Sequence, residues 1–297
     1  MVLPLGRASD PQGVRGYPID FRVKAQSANW PPIDADSLAD DFVGLAQYGL
    51  GCYERWIAGE GEIWLDSAHA VGRFLLQTQE PDGSWLNMRS FGHTFPLQAP
   101  WRCGMAQGEA ASLLVRLYLQ GHEQTFADAA RLALAPLERP REQAGTCAWL
   151  QGARWPEEYP TKPPSFVLNG AIFAWWGMRD VGIGLGDPNA TAAFETGVDT
   201  LAANLHRFDT GWWSLYSLYP HPVKPIASSF YHALHITQLH AMQRLSPRVE
   251  IDSISRRWAV YFDSLLMRRR ALAHKVLFRI VVPRNRLLGH RLPWAHY

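Results

Sequence analysis

The sequence predicts an all-α protein, an incomplete α/α toroid of about four helical hairpins with short β-hairpins at one rim. The main observation is a loose internal repeat of apolar segments, which begin at Ala46, Ala106, Leu168 and His232, 60, 62 and 64 residues apart. Amphipathic segments alternate with them and begin near Asp66, Phe126, Ala192 and Ser253. A helix pair repeated at a nearly constant period is typical of folds that stack helical hairpins around one core.

The four apolar segments are expected to be inner helices, because small apolar residues occupy most of their faces and need cover on both sides. The amphipathic segments are expected to be outer helices, since apolar residues recur at helical spacing, as in the run from Ser67 to Leu76. Turns with Gly and Trp at 82–85 and 209–213 indicate short hairpins or loops at one rim. Loops that carry chemistry are expected to collect there.

Three regions follow from this pattern. Residues 1–40 are Pro-rich and irregular, and we expect them to wrap the outside of the barrel. Residues 41–263 are expected to form the toroid as one domain. Residues 264–297 carry eight Lys or Arg and no Asp or Glu, so a basic tail follows a body with 21 basic and 27 acidic residues.

The composition is that of a folded protein, with 47% hydrophobic and 19% charged residues among 297. Thirteen tryptophans fit either an aromatic core or a cleft in which indoles stack on sugars. Three scattered cysteines favour a reducing compartment, and the N-terminus lacks the pattern of a signal peptide, so we expect a cytoplasmic protein. A nicotinamide cofactor is disfavoured, because no GxGxxG follows a strand and no phosphate loop appears. No cofactor and no nucleic-acid partner are expected.

Three clusters contain the candidate chemical groups. The Pro-rich run 154–165 holds the adjacent carboxylates Glu157 and Glu158, of which one should face a cleft because neighbouring side chains of an extended segment alternate. The run 212–219 reads as a strand or hairpin with Tyr216 on one face. His232 and His235 share a helix face, but a metal site would need more ligands. A solvated acidic loop, a packed hydrophobic hairpin and core histidines are the structural alternatives.

These clusters carry a family resemblance. The run from Trp155 to Gly170 closely resembles the signature of the D-glucuronyl C5-epimerase C-terminal domain. The motifs at 46–50, 105–108 and 231–239 also match, and together they cover roughly residues 40 to 265 in the family's order. The resemblance implies an α/α toroid, action on glucuronic acid residues of heparosan-type glycans, and an active-site pair at Glu158 and Tyr159 with further tyrosines at Tyr216 and Tyr231.

One position and one run of three residues depart from the animal enzymes of this family. Tyr219 stands where they have Arg, and 228–230 read Ser-Ser-Phe in place of Arg-Trp-Asp. The β-rich domains that precede the toroid in those enzymes have no counterpart in this sequence.

The expected reaction is inversion at C5 of glucuronic acid, giving iduronic acid, by proton removal and re-addition. Two acid/base groups must then flank C5. We assign Tyr231 as one and either Tyr159 or Glu158 as the other, and Glu158 could instead act as a protonated hydrogen-bond donor. Tyr216 would stabilise the anion or relay a proton. The expected substrate-binding residues are Trp101, Arg102, Gln107, Arg154, Lys162, Asn169, Tyr219 and His232.

Among these, Arg154, Lys162 or His232 would lower the pKa of a tyrosine by its positive field. Trp101 would stack on a sugar ring. For Gln107 and Asn169, which lie on inner helices, hydrogen bonding between helix and loop is the alternative to a role in binding.

The basic tail reads as an amphipathic helix from Leu265, which could lie on an anionic membrane, bind an acidic glycan, dock a glycosyltransferase, or pack on the barrel. A polymeric or lipid-linked uronic-acid glycan is the expected substrate, on the inner membrane face if the tail binds lipid. A homodimer is a further expectation, because a partial toroid leaves an open side. Two rival functions are a lyase or hydrolase on the same toroid and a non-catalytic glycan-binding protein.

Overall fold

The computed structural model describes residues 3–6, 13–26, 41–92 and 94–283, and these are mostly helical. The α-helices are α1 Phe42–Ile57, α2 Ile63–Thr78, α3 Gly104–Gly121, α4 Gln124–Leu132, α5 Ala135–Glu138, α6 Leu168–Gly184, α7 Pro188–Asn204, α8 Ser229–Leu245, α9 Val249–Asp263 and α10 Leu265–Val281. Short 3-10 helices cover Arg22–Lys24, Arg141–Gln143 and Leu205–Phe208.

Two small antiparallel strand pairs interrupt the helices. Strand β1 (Leu86–Asn87) pairs with β2 (Trp101–Arg102), and β3 (Cys147–Leu150) pairs with β4 (Ala153–Pro156). The all-α fold with short hairpins is therefore confirmed.

The helices pack in two layers. Helices α1, α3, α6 and α8 lie side by side in that order, and each packs against the helix that follows it, α2, α4, α7 or α9. Gly108 and Gly177 let α3 and α6 approach closely, because a Cβ atom on Gly108 would lie 2.4 Å from the Cα of Ala174. The arrangement of these layers as an incomplete toroid stays a prediction.

The described part of the N-terminal segment packs against helices α1, α3 and α6, and its expected place on the outside of a barrel stays a prediction. The rings of Tyr17 and Phe21 lie 6.5 and 5.8 Å from that of Phe173 on α6. The backbone N–H of Tyr17 donates to the buried carboxylate of Glu54 on α1. The reason is apolar burial, since Tyr17, Ile19 and Phe21 are fully buried there.

A buried charge network ties this segment to α3 and α6. Asp180 accepts hydrogen bonds from Arg116 at 2.6 Å and from Arg179 at 3.1 Å, and all three side chains are almost fully buried. The same guanidinium groups donate to the backbone carbonyls of Gly16 and Gly13. Because this carboxylate contacts two buried cations, its loss leaves both guanidinium groups with less compensating negative charge.

We therefore expect Asp180→Asn to lower the free energy of unfolding by about 3–5 kcal/mol, measured by urea denaturation. Asp199→Asn is the matched control, since Asp199 accepts from Arg248 at 2.8 Å while 68% exposed, and such surface pairs contribute about 0–1 kcal/mol. Equal, small effects of both substitutions would contradict this account of the network.

The basic tail begins with α10, whose first turn is capped by the hydroxyl of Ser264. Ala271 and Phe278 are buried against the body of the protein. Lys275 donates to the carbonyl of Ile226 at 2.9 Å. The end of the tail, residues 284–297, lies outside the described residues. Within the described ranges, no helix combines the length and apolarity that a bilayer crossing requires.

Candidate active site

The segment that follows β4 turns its two adjacent glutamates in different directions. Glu157 accepts hydrogen bonds from the N–H and hydroxyl of Ser165, at 2.6 and 2.8 Å, and from the N–H of Phe166 at 2.7 Å. Glu158 instead lines a cavity. The expectation that only one of the two faces a cleft is confirmed, and the alternation of an extended backbone is its cause.

Two neighbouring cavities meet at this segment. The larger has a volume of about 370 Å³ and is lined by Glu158, among others. The smaller, of about 120 Å³, is lined by Tyr216. Tyr159 and Tyr231 line both cavities, so the two phenols lie at their boundary.

Aromatic packing holds the phenols close together. The rings of Tyr216 and Tyr231 meet edge to face with centroids 4.8 Å apart. Tyr159 stacks on Phe95 at 4.7 Å and on Phe91 at 5.1 Å. Stacked and edge-to-face pairs at these distances are favourable, so ring packing positions the hydroxyl groups.

Polar contacts join Glu158 to its surroundings. The amide of Asn169, on the first turn of α6, donates to Glu158 at 3.3 Å. Side-chain hydrogen bonding also links Glu158 with Tyr159, and Tyr159 with Tyr216. A continuous polar path therefore runs from the larger cavity into the smaller one.

Burial controls the protonation of these groups. It raises the pKa of Glu158 to about 7, although hydrogen bonds from Tyr159 and Asn169 oppose the shift. Burial, together with the negative charge of Glu158, raises the pKa of Tyr159 and of Tyr216 well above the usual value. Before substrate binds, at neutral pH, the site therefore holds protonated phenols beside a carboxyl group that keeps its proton to a higher pH than an ordinary glutamate does.

A family model described as D-glucuronyl C5-epimerase C-terminus matches residues 79–260, more than half of the chain. The chain belongs to the D-glucuronyl C5-epimerase family. It is 26% identical to the D-glucuronyl C5-epimerase of Caenorhabditis elegans over 212 residues, which are 65% of this chain and 34% of that protein. It is also 26% identical to an uncharacterised protein of Methanocaldococcus jannaschii over 155 residues, 51% of this chain and 47% of that protein. The matched part of the chain thus spans between a third and a half of these relatives.

In this member of the C5-epimerase family, two predicted substrate-binding residues line the larger cavity, namely Trp101 and Asn169. The ring of Trp101 lies 5.8 Å from that of Tyr159, and its indole N–H donates to the carbonyl of Arg89. Trp101 is half-buried, so part of its face stays open to the cavity.

Arg102 and Gln107 have structural partners instead. Arg102 donates to Asp82 and Ser84 at 2.8 and 3.0 Å. Gln107 donates to the carbonyls of Gly83 and Ala133 and accepts from the N–H of Trp85. For Gln107, these contacts correspond to the structural alternative to substrate binding, in which the side chain joins a helix to a loop.

The cations expected near the tyrosines lie elsewhere. Arg154 is exposed on β4, and Lys162 is 80% exposed beside Glu142. The pKa of His232 is lowered to about 4 by burial, so its ring is neutral at pH 7. None of the three is among the lining residues, and the tyrosine pKa values are raised, where a lowering was expected.

The two histidines of α8 share a structural partner. The hydroxyl of Ser214 lies 2.7 Å from Nδ1 of His232 and 3.0 Å from Nδ1 of His235. Nε2 of His232 also lies 3.1 Å from the carbonyl oxygen of Trp258. The described part of the chain contains no group of three or more His, Cys, Asp or Glu side chains suited to hold a metal ion.

Tyr219 does not line the smaller cavity but packs against a residue that does. Its ring meets that of Phe95 edge to face at 5.6 Å, and Phe95 lines the cavity.

Sequence reasoning missed the contribution of α10 and of the segment between β1 and β2. Lys275, Phe278 and Arg279 line the smaller cavity beside Thr94 and Phe95. Arg279 donates to the hydroxyl of Thr94 at 3.1 Å, which joins the two segments. The charge of the tail was visible in the sequence, but its position at the site was not.

Gly170 provides the space that Glu158 occupies. A Cβ atom at Gly170 would lie 2.5 Å from both Cβ and Oε2 of Glu158. Gly170→Ala should therefore push this carboxyl group aside and reduce catalytic activity by about tenfold to a hundredfold, since small displacements of a catalytic group are costly.

Gly121→Ala is the matched control for Gly170→Ala, because a Cβ atom there meets nothing within 4 Å. Rates of C5 proton exchange and thermal melting curves of both variants test the prediction. Full activity of a folded Gly170→Ala variant would contradict it.

Proposed function

We propose that this chain is a uronate C5-epimerase, which converts glucuronic acid residues of a glycan into iduronic acid residues. The observation that carries the proposal is the convergence of Glu158, Tyr159, Tyr216 and Tyr231 on two adjoining cavities. Membership of the C5-epimerase family supports the same chemistry.

Glu158 suits the stabilisation of the intermediate. The C5 hydrogen lies beside a carboxylate, so its removal creates an enediolate-like dianion that is very unfavourable in water. A hydrogen-bond donor held in place for that charge lowers the barrier. Because burial raises the pKa of Glu158 to about 7, a large fraction of the enzyme carries this proton at neutral pH.

Inversion requires one acid/base group on each face of C5. We assign these roles to Tyr159 and Tyr231, which border both cavities. The phenol that accepts the C5 proton must be ionised when substrate is bound, whereas the opposite phenol donates. Tyr216, hydrogen-bonded to Tyr159, would stabilise the anion or relay a proton.

Positive charge near the cavities would stabilise both the carboxylate of a bound uronate and the ionised form of a phenol. Lys275 and Arg279 line the smaller cavity, and Lys24 lines the larger one. We assign them to the carboxylates of the glycan, in place of Arg154, Lys162 and His232. Trp101 would stack on a neighbouring sugar ring. The reaction moves a proton and no electrons, so the proposal requires no redox cofactor.

Incubation of glucuronate-containing oligosaccharides with the protein in D₂O tests the proposal. Deuterium should appear at C5, with a growing fraction of iduronate, both read by NMR. Formation of a conjugated C4–C5 double bond, seen by ultraviolet absorbance, would indicate a lyase. Binding without exchange at C5 would indicate a non-catalytic glycan-binding protein.

A further inference from the structure

Helix α10 exposes an apolar face to solvent. Its large aliphatic side chains that are exposed by half or more are Leu265, Leu266, Leu272, Val276, Leu277 and Ile280. Leu265, Leu272, Val276 and Ile280 follow one another at intervals of seven, four and four residues, so they lie along one side of the helix. The buried residues Ala271 and Phe278 lie on the other side.

The same helix carries only positive charge. Arg268, Arg269 and Arg270 are all exposed, and α10 contains no Asp or Glu. Because successive residues are offset by about 100° around a helix, Arg268 and Arg270 fall on the two flanks of the aliphatic side, whereas Arg269 falls on that side itself, near its N-terminal end. An apolar face bordered by basic groups is the pattern of a helix that lies in a lipid–water interface.

The position of α10 links this face to the cavities. Lys275 and Arg279, of intermediate burial, line the smaller cavity together with Tyr216. A surface that covers the exposed face of α10 would therefore lie close to the smaller cavity.

We propose that α10 docks this protein on an anionic lipid bilayer, with its axis in the plane of the interface, its aliphatic face among the acyl chains and its arginines at the acidic headgroups. A second copy of α10 fits the face less well, since it has no acidic group to pair with the arginines. The docked orientation holds the smaller cavity close to the membrane, where a lipid-linked glycan would present its sugars.

Sedimentation with vesicles tests the docking. The full chain should bind vesicles made of equal parts phosphatidylcholine and phosphatidylglycerol, and binding should weaken as salt is added. Affinity for vesicles of phosphatidylcholine alone should be at least about tenfold lower, because each basic residue near an anionic surface contributes about a fivefold factor.

A matched pair of triple variants isolates the helix face. Leu272→Gln/Val276→Gln/Ile280→Gln should lose at least about tenfold in vesicle affinity, because it removes the buried apolar area. Ile63→Gln/Val249→Gln/Val260→Gln, at exposed positions of α2 and α9, should bind as the wild type does. Equal melting temperatures of the variants exclude unfolding as the cause.

Two results would overturn the docking. One is the absence of vesicle binding by the wild type, or its persistence in the α10 variant. The other is a wild-type dimer in sedimentation velocity that the α10 variant converts to monomer while vesicles stay unbound, because a second copy would then cover the face. The vesicle assay contains no glycan, so its failure is separate from a failure of the proposed epimerase function.

Discussion

Tyr231→Phe is expected to abolish epimerisation while leaving deuterium exchange at C5 from one of the two epimers. Epimerisation in D₂O should fall by about 10³-fold or more, because a positioned acid/base contributes factors of about 10²–10⁴. If each phenol serves one face, the variant can still remove and return a proton through Tyr159. Phenylalanine keeps the ring contact with Tyr216, so the fold should be unaffected.

Tyr159→Phe should show the opposite preference. Paired exchange experiments that start from glucuronate- and from iduronate-containing oligosaccharides reveal which epimer each variant still exchanges. Tyr118→Phe is the control, since Tyr118 packs against His122 at the end of α3 and lies outside both cavities. If the Tyr159 and Tyr231 variants exchanged C5 deuterium identically with both epimers, the assignment of one phenol to each face of C5 would be wrong.

Glu158→Gln is expected to reduce the rate of C5 exchange by about 10²- to 10³-fold. Glutamine still offers an N–H donor, but it cannot hold the proton that the developing dianion attracts, and one such donor is worth about this factor. The neighbouring Glu157 is not equivalent. Glu157→Gln should mainly lower the melting temperature, because Glu157 accepts three hydrogen bonds from Ser165 and Phe166.

The pH dependence gives Glu158 a second signature. The protonated carboxyl group is the active form, so wild-type activity should decline as pH rises through about 7, the pKa that burial produces. Glu158→Gln should lack that decline. A wild-type profile that instead rises through pH 7 would mean that the ionised carboxylate is required.

The free energy of unfolding should also depend on the protonation of Glu158. Because the pKa of Glu158 is higher in the folded state than in the unfolded chain, the contribution of this group to stability is full below the unfolded value of about 4.3 and is lost as pH rises through about 7. Urea unfolding of the wild type and of Glu158→Gln between these pH values measures the difference.

The helical repeat was readable from the sequence because helix periodicity is local. The segments from Ala46, Ala106, Leu168 and His232 became α1, α3, α6 and α8, which need cover on both sides. The N-terminal segment was harder to interpret. Its irregular, Pro-rich character indicates that it is not a long helix, but only the packing of Tyr17 and Phe21 against Phe173 shows which helix it contacts.

In the candidate site, too, some features follow from local sequence and others only from tertiary packing. Alternation along an extended chain predicted that one glutamate would face a cleft, and Glu158 does. Arg154, Lys162 and His232 are close in sequence to Tyr159 or Tyr231, yet none of the three lines either cavity. Lys275 and Arg279 reach the site from α10, more than a hundred residues after Tyr159.

The sequence by itself determined the helices, the basic charge of the tail and the set of acidic and phenolic groups. Each of these depends on residue type and on spacing within one element. Only the tertiary structure decided which groups share a cavity, which glutamate lines it and which face of α10 stays exposed. Those properties depend on burial and on distances between segments far apart in the chain, and chain folding alone determines both.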